Sequence, residues 1–152
     1  MRVLAIDYGK KRTGLAVTDS LQLIAGGLCT VETKDLERFV LDYVAHEEVE
    51  RIIVGHPRQM SGEDSENMVR ITPFVNRLRK LLPTTPVELF DERFTSVLAH
   101  RTMLESGIGR KARQNKALVD EISATIILQD WMEARKLKVL ERSSAPLGRA
   151  GS

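Results

Sequence analysis

Val3-Leu4-Ala5-Ile6-Asp7-Tyr8-Gly9-Lys10-Lys11-Arg12-Thr13-Gly14-Leu15-Ala16-Val17-Thr18-Asp19 is the stretch whose reading decides the fold. An apolar, partly β-branched run ends on an acid, Asp7. A turn rich in glycine and cations follows, and a second apolar run leads to Asp19. Short apolar runs bounded by glycine read as buried strands, so the stretch predicts a β-hairpin with a carboxylate at the end of its first strand. An acid there is costly unless it stays at the solvent edge, finds donors or binds a cation. Gly9 lets a backbone or phosphate approach closely, since it has no Cβ. Lys10, Lys11 and Arg12 then form a cationic turn suited to an anionic partner held near Asp7. The same pattern also describes an ordinary Asp-Gly turn with solvated charges.

Outward from the hairpin, Leu21 to Val31 predicts a third strand, antiparallel to the second, kinked at Gly26-Gly27. Asp35 opens a helix whose Leu36, Phe39, Val40, Tyr43 and Val44 recur at helical spacing. Arg51-Ile52-Ile53-Val54-Gly55 is a short run that suits a central parallel strand, and His56 to Gly62 is a loop at its carboxyl end. A helix from about Ser65 to Leu82 should turn Met68, Ile71, Phe74, Val75 and Leu78 inward, despite Pro73. Pro86 to Phe90 is the last strand and delivers Asp91-Glu92-Arg93 at its tip. One helix follows from Phe94 or Thr95 to Gly107. After a basic loop comes a long one, from about Gln114 to Lys138. The expected architecture is α/β: a five-stranded mixed sheet, three strands in an antiparallel meander plus two parallel strands, with helices on its faces. One domain should span 1–141, with 142–152 a flexible tail.

Asp7, the His56 to Gly62 loop and Asp91-Glu92 would share the carboxyl edge of the parallel strands, where open α/β sheets carry their sites. On the last helix, Asp120, Ser123, Ala124, Ile127, Leu128, Trp131 and Ala134 fall within one stripe at 3.6 residues per turn. The stripe is small or apolar except at its start, so Asp120 is expected to reach the sheet edge and join Asp7 and Glu92. Glu121 and Asp130 should point elsewhere and stay solvated. Three carboxylates from separate segments repel one another unless something positive lies between them. Oxygen ligands without a cysteine or histidine cluster suit Mg²⁺ or Mn²⁺ over zinc. Paired ions of this kind can activate water and stabilise the leaving oxygen of a phosphodiester. Asp7, Glu92 and Asp120 are therefore the candidate metal-binding and catalytic acids. Each acid taken alone is equally at home as a cap, a surface charge or half of a salt bridge.

Composition sets limits. Of the 152 residues, 42% are hydrophobic, enough for a packed core. No apolar run approaches the roughly 20 residues that cross a bilayer, and Met1-Arg2 leads directly into a strand, so the expected location is the cytoplasm with no membrane partner. The single cysteine, Cys29, excludes an intramolecular disulfide and a cysteine zinc cluster. The net charge of +2 does not by itself announce a nucleic-acid binder. The cations are nevertheless clustered, in Lys10-Lys11-Arg12 and in the stretch carrying Arg110, Lys111, Arg113 and Lys116.

Four segments, Asp7-x-Gly-x-Lys-Arg-x-Gly-Leu-Ala-Val-x-Asp, Val54-Gly55-x-Pro57, Asp91-Glu92-Arg93-x-Thr95 and Val119-Asp120-x-x-Ser-Ala-x-Ile-Ile-Leu-Gln129, together resemble the YqgF/RuvX family. The resemblance covers the chain to about Glu141. It implies a ribonuclease H-like fold and one of two described activities: Holliday junction resolution, or nuclease action in 5′-end maturation of pre-16S rRNA. By resemblance, Asp7, Glu92 and Asp120 take the places of the family's metal-binding acids, while Arg12 and Arg93 match positions that touch phosphate. His56-Pro57-Arg58 departs from the family's Leu-Pro-apolar pattern.

Actin-like and sugar-kinase ATPases open with a similar hairpin but need two such domains. A P-loop fails because Leu15-Ala16 stands where Lys-Ser/Thr is required. The reading is therefore a metal-dependent nuclease acting on pre-rRNA, with branched DNA as the alternative substrate. A non-catalytic RNA-binding assembly factor is the remaining alternative. Either a monomer or a homodimer is compatible with these roles.

Overall fold

The computed structural model describes residues 1–56, 68–91 and 116–144. Its elements are β1 (Arg2–Asp7), β2 (Arg12–Thr18), β3 (Ala25–Glu32), a 3-10 turn (Thr33–Asp35), α1 (Leu36–His46), β4 (Val49–His56), α2 (Met68–Leu81), β5 (Val87–Asp91) and α3 (Lys116–Ser144). The sheet order is β3-β2-β1-β4-β5. Strands β1 and β2 pair antiparallel, as do β2 and β3, whereas β4 runs parallel to both β1 and β5. This is the five-stranded mixed sheet expected from the order of elements.

Alternation along β1 divides the interior. Leu4 and Ile6 face a core with Leu15, Ile52, Leu36, Val40, Ile71, Phe74 and Leu78, beneath α1 and α2. Val3 and Ala5 face the other way, onto Ala16, Ile53, Ala124, Ile127, Leu128 and Trp131. The sheet is thus covered on both faces, and side chains of this size contribute about 1.5–3 kcal/mol each when fully buried. Met68, Ile71, Phe74, Val75 and Leu78 are buried on α2 as the spacing predicts. Pro73 is accommodated because it and Val69, whose carbonyl loses its donor, both lie on the exposed face.

The face under α3 is paved with small residues. Ala5 is opposite Ala16, and Ala16 is opposite Gly27. A Cβ on Gly14 would overlap the backbone carbonyl of Asp120, and one on Gly27 would come within 3.4 Å of the Glu121 Cβ. The helix main chain therefore lies close on the sheet. Its middle is pinned at Trp131, whose Nε1 donates to Glu88 Oε1 at 2.6 Å. The guanidinium groups of Arg51 and Arg135 stand 5.6 and 5.2 Å from the Trp131 ring centroid.

Strand β4 starts two residues early and takes in His56, expected in the loop, and two other boundaries differ more. Strand β3 begins at Ala25, not Leu21, because the Asp19 carboxylate accepts hydrogen bonds from the Leu23 and Ile24 amides at 2.7 and 2.9 Å. With Gln22 at φ 57°, this closes a turn that leaves Leu21, Leu23 and Ile24 exposed. These donors hold the Asp19 carboxyl below its ordinary pKa. The irregularity expected at Gly26-Gly27 lies just after them: both glycines are in register, and the pairing slips one residue at Leu28, between the pairs Leu15–Cys29 and Ala16–Gly27. Helix α3 continues past Lys138 to Ser144. The helix expected after Phe94 and the residues of the expected tail beyond Ser144 lie outside the described residues.

Candidate active site

Asp7 is the last residue of β1 and is paired in register with Gly14 of β2. Since Gly14 has no side chain, the Asp120 carbonyl occupies the space above it, which brings the start of α3 down beside Asp7. The consequence is electrostatic. Burial, reinforced by the neighbouring Asp120 carboxylate, pushes the Asp7 carboxyl from its ordinary 3.8 up to about 7.

Arg12, the first residue of β2, turns its guanidinium to the same place. Its Nε donates to Asp120 Oδ2 at 3.2 Å, with the arginine side chain 42% and the carboxylate 25% exposed. Among the described residues, Arg12 is bonded to this acid pair through Asp120. Lys10 and Lys11 are exposed on the adjoining turn. His56 and Asp91 are opposite each other at the carboxyl ends of β4 and β5, so the parallel strands end on the same edge as Asp7.

Asp7, Arg12 and Asp120 are thus brought together from the two strands of the first hairpin and the start of α3. Glu92 and Arg93 follow β5 directly but lie outside the described residues, as do Arg58, Arg110, Lys111 and Arg113. Lys116 is the first residue of α3. Glu121 departs from expectation: it lies half-buried over Gly27 of β3, where it adds to the effect of burial in raising the Cys29 thiol pKa.

The donor set fits a hard divalent cation. Its oxygens are carboxylate only, and one acid is desolvated enough to retain a proton near neutrality when no counter-charge is bound. Among the described residues, no group of three or more His, Cys, Asp or Glu side chains is gathered closely enough to hold a metal ion. Two residues of this site were not anticipated from the sequence. Thr13 and Thr33 hydrogen-bond to each other and to Gly9, a contact between distant hydroxyls that no local pattern announces.

The family model described as RuvX, Holliday junction resolvase, matches residues 1–134. The chain belongs to the RuvX family. RuvX relatives include a protein of Phocaeicola vulgatus that is 67% identical over 135 residues, covering 89% of this chain and 97% of that one. A protein of Porphyromonas gingivalis is 56% identical over 132 residues, covering 87% and 96%. Both bear the name "Putative pre-16S rRNA nuclease". Among solved structures, Thermus thermophilus RuvC aligns with a TM-score of 0.55 at 16% identity, over 90% of this chain and 96% of that chain. RuvC in complex with Holliday junction substrate aligns with a TM-score of 0.53 at 19% identity, over the same shares. The fold of this RuvX chain is ribonuclease H-like.

Proposed function

We propose that this RuvX protein is a divalent-metal-dependent nuclease that hydrolyses phosphodiester bonds in the 5′-end processing of pre-16S rRNA. What supports the reading above all is the convergence of Asp7 and Asp120 at the carboxyl edge, with Arg12 bonded to Asp120. The names of the close relatives supply the substrate class. Among the described residues no helix is long and apolar enough to cross a membrane, and work on rRNA belongs in the cytoplasm.

Asp7 and Asp120 would hold Mg²⁺ or Mn²⁺, with Glu92 as the third acid. When bound, such a cation supplies neutralisation of the charge that develops on phosphodiester oxygens and acidifies water. The residues themselves do the rest. Asp7, desolvated on the sheet edge, would give up its proton to hold the cation, so occupancy would be favoured at and above neutral pH. Arg12, bonded to Asp120 and 42% exposed, can extend its guanidinium to a phosphate oxygen of the nucleic acid. Lys10 and Lys11, with the cations of 110–116 and Arg93, hold flanking backbone. Such contacts give affinity without sequence preference, so binding falls with salt.

The test is a side-by-side assay of a precursor 16S rRNA fragment and a four-way DNA junction, each with Mg²⁺ or with EDTA. The expected result is Mg²⁺-dependent cleavage of the rRNA, lost in Asp7→Asn while binding persists. Cleavage of the junction alone would favour the resolvase activity named in the family description. Tight metal-independent RNA binding with no cleavage of either would overturn the nuclease reading in favour of an assembly factor.

A further inference from the structure

The turn that carries Lys10, Lys11 and Arg12 is held by a closed circuit of hydrogen bonds. The Gly9 amide lies 3.3 Å from Thr13 Oγ1, Thr13 Oγ1 lies 2.9 Å from Thr33 Oγ1, and Thr33 Oγ1 donates to the Gly9 carbonyl at 2.7 Å. The direction of every bond follows from proton count. An amide can only donate and a carbonyl can only accept. The single Thr33 proton goes to the carbonyl, so Thr33 must accept from Thr13, and Thr13 accepts from the amide. Each hydroxyl donates once and accepts once, and bonds arranged head to tail polarise one another. The Thr33 amide adds a further bond to the Lys11 carbonyl at 2.9 Å. Gly9 is tight against the other limb of the turn, since a Cβ there would overlap the Arg12 carbonyl.

Thr13 is fully buried. A valine would fill that space without having to satisfy a hydroxyl, so packing alone does not call for threonine there. What the hydroxyl adds is orientation of the peptides at Gly9, two residues beyond Asp7 and three before Arg12. We propose that Thr13 and Thr33 are positioning residues: their hydroxyl circuit holds the Gly9 to Arg12 turn so that the Arg12 guanidinium stands ready for a backbone phosphate of the nucleic acid. This rests on the nucleic-acid reading of the site for the identity of Arg12's target, and on nothing in the cleavage step.

The experiment measures binding of a labelled precursor 16S rRNA fragment in EDTA, as a function of salt, for the parent, Arg12→Ala, Thr33→Val and the double variant. Loss of one phosphate contact lowers the slope of log affinity against log salt by about 0.7–0.9 and weakens binding about tenfold at low salt. Thr33→Val should reproduce the Arg12→Ala effect, the double variant should show no further loss, and Thr33→Ser should restore the parental slope. Thr13→Val breaks the same circuit with the buried volume kept, and gives the same reading should Thr33→Val not fold. The inference is overturned if the valine variants keep the parental slope and change only the melting temperature. Additive losses in the double variant, or a parent whose binding is insensitive to salt, would overturn it as well. A parent that binds as expected but never cleaves refutes the nuclease reading and leaves the positioning role standing.

Discussion

Replacing Asp7 by asparagine should make the metal-free protein more stable at neutral and alkaline pH, by an amount that itself depends on pH. The carboxyl titrates at about 7 in the folded chain against an ordinary 3.8. Below about pH 4 both states are protonated and the acid costs nothing. Between about 4 and 7 the unfolded chain sheds a proton that the folded chain keeps, so stability falls as pH rises; above about 7 both are ionised and the penalty is complete. At about 1.36 kcal/mol per pKa unit the ceiling is about 4 kcal/mol. Asparagine still has to satisfy an amide in the same place, so a gain of about 1–3 kcal/mol is expected, or about 3–10 °C in melting temperature for a chain of this size.

Thermal unfolding followed by circular dichroism in EDTA at pH 5, 6, 7 and 8 reads this directly. The gap between Asp7→Asn and the parent should widen from pH 5 to 7 and then level. Mn²⁺ at about 100 times its dissociation constant should raise the parent by about 2.7 kcal/mol and the variant by much less. A gap that is constant across this pH range would refute the argument from burial and the Asp120 charge. Equal stabilisation of both proteins by Mn²⁺ would refute Asp7 as a ligand.

Gly14→Ala should cost about 3 kcal/mol, because the new methyl group overlaps the Asp120 carbonyl. Gly26→Ala, with nothing within 4 Å of its Cβ, should melt within a few degrees of the parent; equal effects on melting would refute the close approach of α3. Trp131→Phe removes the 2.6 Å bond to Glu88 and should destabilise by about 1–2 kcal/mol in chemical unfolding with cleavage unchanged, whereas an unaltered unfolding midpoint would count against this anchor. Burial and then Glu121 raise the Cys29 thiol pKa, so iodoacetamide should label Cys29 slowly at pH 8 and faster in Glu121→Gln.

Strands β1, β2, β4 and β5 and the inward faces of α1 and α2 were legible because one physical term, burial, dominates each of them. The start of β3 was not. Leu21, Leu23 and Ile24 have the composition of a strand, but Asp19 captures the amides that would enter the ladder, and a local side-chain bond of this kind leaves no periodic trace. Glu121 was misread for a related reason. A stripe defined by apolar residues cannot register an acid lying over Gly27, where the sheet offers room instead of grease.

The acid pair was legible for a reason that joins packing to chemistry. Asp120 heads a stripe that must lie on the sheet, and Asp7 ends the strand beneath it. Neither fact says how near the two come. That distance is set by Gly14, Ala16, Ala5 and Gly27, whose missing side chains let the α3 backbone settle on the strands. A helix held off by ordinary side chains would keep Asp120 away from Asp7 and leave Asp7 with burial alone to raise its pKa. The small residues, which contribute least to hydrophobic burial, therefore set the charge repulsion that helps to raise the Asp7 pKa.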